Sequence, residues 1–89
     1  MSQSYLEVTF RRGRPIAAYL YFPRREGDRT ASTRLLGSGL VVDLASDGHP
    51  LGLEITTPGS ITLERVNEAL AELGADTVTR EDLAPVLAA

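Results

Sequence analysis

The stretch Gly39–Ile55, GLVVDLASDGHPLGLEI, has the pattern of a β-hairpin and decides the fold more clearly than any other part of the chain. Apolar residues alternate on both sides of Asp47-Gly48, a dipeptide suited to the positive φ angles of a type I′ turn. A turn centred there places the apolar side chains of both strands on one side of the ribbon, whereas a slip of one residue would separate them. The predicted facing pairs are Leu44 with Leu51, Val42 with Leu53, and Leu40 with Ile55.

Two more strands precede the hairpin. The alternation from Tyr5 to Phe10 and from Ile16 to Phe22 predicts a first and a second strand, joined by a turn at Arg11–Pro15 in which Gly13 is free to take positive φ. The segment Pro23–Arg34 is polar and has no periodicity, so we interpret it as a loop. Together with the two hairpin strands, this gives a sheet of four antiparallel strands in sequence order.

The residues after Ile55 change to a helical pattern. Thr57-Pro-Gly59 ends the strand, and an apolar stripe of Leu63, Val66, Leu70 and Leu73 predicts a helix over 62–73 that stops at Gly74. Because Pro85 opposes a long regular helix, residues 79–88 are predicted to form one or two short turns that pack Leu83, Val86 and Leu87.

The resulting fold class is α+β, a four-stranded antiparallel β-meander with a C-terminal helix packed on one face. We expect one domain over 1–89, with the meander in 5–57 and the helical segment in 60–89. The helix is expected to cover the apolar side chains of the sheet, namely Leu6, Val8, Phe10, Ile16, Ala18, Leu20, Phe22, Leu40, Val42, Leu44, Leu51, Leu53 and Ile55.

Size and composition limit the classes of function. A chain of 89 residues buries only about 60–65% of its unfolded surface, so its core is thin and a partner would stabilise it. The absence of cysteine excludes disulfides and thiolate metal sites and fits a reducing compartment. No apolar run approaches the roughly 18 residues of a membrane span, and the N-terminus lacks the pattern of a signal peptide. We therefore expect a cytoplasmic protein with no membrane contact.

Charge is distributed unevenly. Residues 1–45 hold seven arginines and four acids, a net charge of +3, whereas residues 46–89 hold two arginines and eight acids, a net charge of −6; the halves sum to the total of −3. All nine basic residues are arginine, which suits planar recognition of carboxylate or phosphate. A GC-rich genome would also encode arginine rather than lysine without selection for function, so both interpretations stay open.

Several segments resemble the domain of unknown function 2283 family, a group of small, mostly bacterial proteins. The resemblance covers about residues 5–57 and is carried by Ala18-Tyr-Leu-Tyr-Phe22, Gly39-Leu-Val-Val-Asp43, Asp47-Gly48 and Leu51-Gly-Leu-Glu-Ile55. It implies a meander of strands that can continue into a C-terminal helix, and no assigned reaction. Some relatives look like members of two-gene toxin–antitoxin pairs, which implies a protein partner. The chain departs from the family where Phe10-Arg11 stands for the usual Tyr-Asp opening.

The second side of the sheet is the predicted interface. Tyr5, Tyr19 and Tyr21 fall on one face if the first two strands pair, and Val41 extends that face. Tyrosine is enriched at interfaces because it buries much area with few rotatable bonds. The alternative is that residues 79–88 fold back over this face or that the tyrosines are only half exposed. The favoured function is a non-catalytic interaction module, either a homodimer or the partner of a separately encoded protein.

Two other classes of function compete with this one. Asp43 and Glu54 share a face as diagonal neighbours roughly 7–8 Å apart at Cα, so they could hold a metal or act as an acid–base pair; facing water or pairing with arginine is the alternative. The arginines at 11, 12, 14, 24 and 25 could gather at one end of the sheet and bind nucleic acid. The acidic pI of about 5.0 opposes this. His49 is expected to be an exposed turn residue, and no cofactor is expected.

Overall fold

The computed structural model describes residues 4–87. Its sheet has five antiparallel strands. Two α-helices and one short 3-10 helix follow the strands. The elements in chain order are β1 (Tyr5–Arg11), β2 (Arg14–Tyr21), β3 (Ser32–Gly37), β4 (Leu40–Leu44), β5 (Pro50–Ile55), the 3-10 helix (Pro58–Ser60), α1 (Leu63–Glu72) and α2 (Arg80–Leu87). The α+β class, the antiparallel sheet and the C-terminal helix are thus confirmed, whereas the strand number of four is wrong.

Strand order also differs from the prediction. The order across the sheet is β1-β2-β5-β4-β3, so β2 lies beside β5 rather than beside the strand that follows it in the chain. The additional strand, β3, forms one edge of the sheet and includes the end of the segment that the sequence indicated as a loop. An edge strand needs only one neighbour and little burial, so its pattern STRLLG shows no alternation. The Arg65 guanidinium of α1 also holds β3 by donating to the Leu36 carbonyl at 2.6 Å.

The β4–β5 hairpin keeps most of its predicted register. Leu40 pairs with Ile55 and Val42 with Leu53, as expected, but an irregularity after Asp43 sets Leu44 opposite Pro50 instead of Leu51. The prediction of a type I′ turn at Asp47-Gly48 is also wrong. The Gly48 amide donates to the Ala45 carbonyl, and only Gly48 of the Asp47-Gly48 pair has positive φ, at 92°. This pattern is typical of a three-residue loop that ends in a left-handed glycine.

Both helices contribute to one core on the inner face of the sheet. Thr62 caps the start of helix α1, because its hydroxyl accepts a hydrogen bond from the Arg65 amide. Helix α2 has eight residues, about two turns, which agrees with the predicted one or two short turns, and it contains Pro85. A reciprocal pair of hydrogen bonds between Thr79 and Asp82 caps it. The buried core consists of Ala18, Leu20, Phe22, Leu40, Val42, Leu53, Ile55, Ile61, Val66, Ala69, Leu70, Leu83 and Val86.

Two of the predicted core residues are exposed instead, whereas Leu6, Val8 and Leu44 are partly buried and pack against this core. Phe10 is 54% exposed and Ile16 is 47% exposed. Both lie beside the β1–β2 turn, where the pairing shifts after Thr9. We attribute their exposure to the short helices, which cover the middle of the sheet and not this end. None of the helices described within residues 4–87 is long and apolar enough to cross a membrane.

Candidate functional site

The outer face of the sheet brings the predicted interface residues together. Tyr21 pairs with Tyr5 on one side and Gly52 on the other, and Tyr19 pairs with Glu7 and Glu54. Since side chains directly opposite each other point to the same side, these residues share the outer face. The pairings of the remaining strands extend it with Asp43 opposite Gly52, Val41 opposite Glu54 and Leu35 opposite Val41. Tyr5, Tyr19, Tyr21 and Val41 thus lie on one face of the sheet, and their role as an interface stays a prediction.

Tyr19 crosses the middle of this face. Its hydroxyl donates to an oxygen of Asp43 at 2.6 Å, two strands away. The ring passes over Gly52, where an added Cβ would lie 2.2 Å from Tyr19 Cε1. Only glycine leaves room for the ring at this position. Burial raises the pKa of the Tyr19 hydroxyl well above its ordinary value, and the hydrogen bond to Asp43 raises it further.

The other two tyrosines stack beside it. The rings of Tyr5 and Tyr21 lie 4.5 Å apart and within 11° of parallel, and Tyr19 contacts Tyr21 at 4.5 Å with a tilt of 53°. The Tyr21 hydroxyl donates to Glu7 at 3.0 Å, which raises the pKa of Tyr21. The guanidinium of Arg24 lies over the Tyr21 ring, 5.6 Å from its centre. The result is an ordered aromatic layer bordered by carboxylates.

The outer face is uncovered within residues 4–87. The buried side chains of α2, Leu83 and Val86, belong to the inner core, so this helix does not fold back over the tyrosines. Tyr5 is 60% exposed and Leu35 is 81% exposed, whereas Tyr19, Tyr21 and Val41 are half-buried, as the alternative of half-exposed tyrosines expected for two of the three rings. Leu35 was missed in the sequence because it lies between the predicted loop Pro23–Arg34 and the hairpin that begins at Gly39, where no strand was predicted. The face therefore combines fixed aromatic rings with an exposed aliphatic side chain.

Asp43 and Glu54 lie on the outer face in the predicted diagonal register. Asp43 is engaged by the Tyr19 hydroxyl, while Glu54 makes no hydrogen bond or ion pair with another described residue. Within residues 4–87, no group of three His, Asp or Glu side chains has the geometry to hold a metal ion. The arrangement supplies negative charge to the rim of the tyrosine layer.

His49 has a structural role that differs from the prediction. Instead of an exposed turn residue, it is a half-buried clamp whose ring bonds Asp47 through Nδ1 and Asp28 through Nε2, the latter at 3.1 Å. Asp28 comes from the loop after β2, so His49 ties that loop to the tip of the β4–β5 hairpin. The bonds to Asp28 and Asp47 raise the pKa of His49. Asp47, two residues away, was a local signal, but no sequence spacing indicates Asp28.

The arginines do not gather at one end of the sheet. Arg11, Arg12 and Arg14 surround the β1–β2 turn, whereas Arg24 and Arg25 follow the opposite end of β2. Strand β2 has eight residues, which separates the two groups by roughly 20 Å. The single basic patch expected for nucleic-acid binding is therefore absent from the described residues.

Comparison with known proteins gives no relative from which a role could be carried over. No protein-family model matches the chain, and no curated protein or solved structure shows significant similarity to it. The resemblance to the domain of unknown function 2283 family therefore stays a prediction.

Proposed function

We propose that this chain is a non-catalytic interaction module that forms a twofold homodimer through the outer face of its sheet. The observation that carries the proposal is the stacked layer of Tyr5, Tyr19 and Tyr21, which no other described element covers and which continues across the sheet to Val41 and Leu35. Tyr5 and Leu35 are exposed, and the other three side chains are half-buried. An exposed apolar and aromatic patch of this kind is typical of a protein–protein contact.

The tyrosine layer is already ordered before a partner binds. Asp43 fixes the ring of Tyr19 and Glu7 fixes the ring of Tyr21, each through a hydroxyl hydrogen bond. Binding loses less side-chain entropy when the contacting groups are held in place beforehand. The face therefore has the rigidity expected of a binding surface as well as its composition.

A second copy is the occupant that the charges favour. The outer face carries the carboxylates Glu7, Asp43 and Glu54, and the same molecule exposes three arginines around its β1–β2 turn. A twofold dimer allows each copy to offer arginines to the carboxylates of the other. Two sheets that pack face to face at about 30° provide a common geometry for such a contact.

Light scattering at micromolar concentration tests the proposal. We expect a mass of twice the 9.6 kDa of one chain. Leu35→Glu and Tyr5→Glu, which place a carboxylate at two exposed positions of the outer face, should shift the protein to monomer with an unchanged circular dichroism spectrum. Ala71→Glu is the matched control, because it adds the same charge at an exposed position of α1.

Two results would overturn the proposal. The first is a wild-type mass of one chain across the concentration range. The second is a dimer that Ala71→Glu weakens as much as Leu35→Glu does, because the outer face would then not be the contact.

We also propose that the chain is a cytoplasmic member of the domain of unknown function 2283 family, supported by the motifs within residues 5–57 and the absence of cysteine. A family member whose solved structure has the strand order β1-β2-β5-β4-β3 would support the membership. A different strand order in the family would contradict it.

A further inference from the structure

The β1–β2 turn is an unusual feature of the surface. Arg12 and Gly13 connect the paired residues Arg11 and Arg14, and both connecting residues have positive φ, 53° and 78°. This is the two-residue type I′ hairpin, in which asparagine, aspartate or glycine is the favoured first residue. An arginine held in the left-handed region is disfavoured by its Cβ. The chain thus has a cation at a position where glycine, asparagine or aspartate would adopt the left-handed conformation at a lower energetic cost.

The tip of this hairpin presents charge and apolar surface together. The side chains of Arg11, Arg12 and Arg14 are exposed and form no hydrogen bond or ion pair with the rest of residues 4–87. Beside them lie Phe10 and Ile16, the two exposed residues that the helices leave uncovered. Nothing within the described chain uses this combination of three cations and two apolar side chains.

The outer face has the complementary combination. Its three carboxylates, Glu7, Asp43 and Glu54, border aromatic rings whose faces attract cations. One arginine already uses this chemistry, because the Arg24 guanidinium lies 5.6 Å from the centre of the Tyr21 ring. The face is therefore able to accept arginine side chains.

Strand direction allows the two regions to meet between copies. Tyr5 and Tyr21 lie at one end of β1 and β2, and the turn Arg11–Arg14 lies at the other end, roughly 20 Å away. When two outer faces pack with their strands antiparallel about a twofold axis, the turn of each copy lies over the tyrosine end of its partner. The same contact then forms twice.

We infer that the arginine turn Arg11–Arg14 of one copy docks on the acidic, tyrosine-lined outer face of a second copy. This inference rests on the proposed dimer and specifies which segment of the partner binds the face. It assigns Arg12 and Arg14 as the residues that make a second copy the preferred partner, and Glu7 and Glu54 of that copy as the carboxylates that bind them.

Charge reversal with rescue tests the inference by sedimentation velocity. We expect Arg12→Glu/Arg14→Glu to weaken dimerisation by about tenfold or more, because like charges then meet at both contacts. Glu7→Arg/Glu54→Arg should weaken it similarly. A mixture of the two variants should form a mixed dimer more tightly than either variant associates with itself. Arg29→Glu/Arg80→Glu is the control that changes the net charge by the same amount elsewhere.

The outcomes separate this inference from the proposed function. If the wild type is dimeric and the turn variant dimerises as well as the control, the arginine contact is wrong while the dimer stands. If the mixture shows no preferential mixed dimer, the pairing of turn with outer face is wrong. If the wild type is a monomer throughout, both proposals fail together.

Discussion

The two faces of the sheet are built from alternate residues of the same strands, yet they are ordered by different means. The inner face is aliphatic apart from Phe22, has no buried polar or charged residue, and is covered by the helices. The outer face has no cover within residues 4–87, and its side chains are held by bonds across the strands, such as Tyr19 to Asp43 and Tyr21 to Glu7. Burial thus orders one face, and hydrogen bonding and stacking order the other.

This difference separates stability from binding. A small domain obtains most of its stability from apolar burial, and here the inner face supplies that burial. The outer face can expose aromatic surface because its rings are fixed in place without a second layer. A surface that is aromatic, ordered by hydrogen bonds and not covered by another element is available for a partner, which is the basis of the proposed dimer.

The largest expected effect is on the free energy of unfolding, and it appears when a leucine of the inner core and a leucine of the outer face are each replaced by alanine. Leu70→Ala removes a fully buried side chain and should lower the free energy of unfolding by about 2–5 kcal/mol. Leu35→Ala, at an 81% exposed position, should change the stability of the monomer by no more than about 0.5 kcal/mol. Urea denaturation at low protein concentration measures both. Equal losses would contradict the division between the faces.

The contact between Tyr19 and Gly52 gives an intermediate effect. Gly52→Ala must displace the Tyr19 ring, since its Cβ would lie 2.2 Å from Cε1, and should cost about 1–3 kcal/mol. The displaced ring would also lose its bond to Asp43. In the double variant Gly52→Ala/Tyr19→Ala, the added methyl group meets no ring. Gly52→Ala should therefore lower the free energy of unfolding less in the Tyr19→Ala protein than in the wild type. Additive losses in the urea denaturation of all four proteins would show that the ring does not depend on the glycine.

The smallest expected effect is the dependence of stability on pH. The inner face has no buried titratable side chain within residues 4–87 and does not contribute to it. Asp28 and Asp47 raise the pKa of His49, so the stability from this clamp is complete below about pH 6.5 and is lost as pH rises through the raised pKa. The Arg25 amide and His49 lower the pKa of Asp28, and the His49 amide and ring lower that of Asp47. Their contribution is therefore present above about pH 4 and lost as pH falls through the lowered values.

Thermal unfolding of the wild type and of His49→Gln across this range measures the contribution. We expect the difference in melting temperature to be largest between about pH 4 and pH 6.5 and to shrink toward pH 9. A difference that is independent of pH would mean that the clamp carries no charge-dependent stability.

Much of the inner face was predictable from the sequence. The alternation around Gly48 gave Leu40 opposite Ile55 and Val42 opposite Leu53, and the helical stripe placed Val66 in the core. Strand order was not predictable in the same way, because alternation identifies which residues face the core and not which strand lies beside which. Edge strand β3 was missed because backbone pairing rather than burial stabilises it.

For the outer face, the sequence predicted which residues share the face but not the hydrogen bonds between them. Strand pairing alone placed the three tyrosines together, since their positions alternate with core residues. The bond from Tyr19 to Asp43 joins residues 24 positions apart and requires β5, with Gly52, to lie between their strands. A meander in sequence order would have put those strands side by side. The role of Gly52 therefore became visible only with the strand order.

The most direct test of the outer face as the dimer contact is isotope-filtered NMR on a mixture of carbon-13-labelled and unlabelled protein. Nuclear Overhauser effects between copies identify which protons of one copy lie within a few ångströms of another. We expect such effects at the ring protons of Tyr5 and Tyr21 and at the methyl groups of Leu35. Effects confined to the exposed surfaces of α1 and α2, or none at all in a protein that tumbles as a single chain, would contradict the central claim.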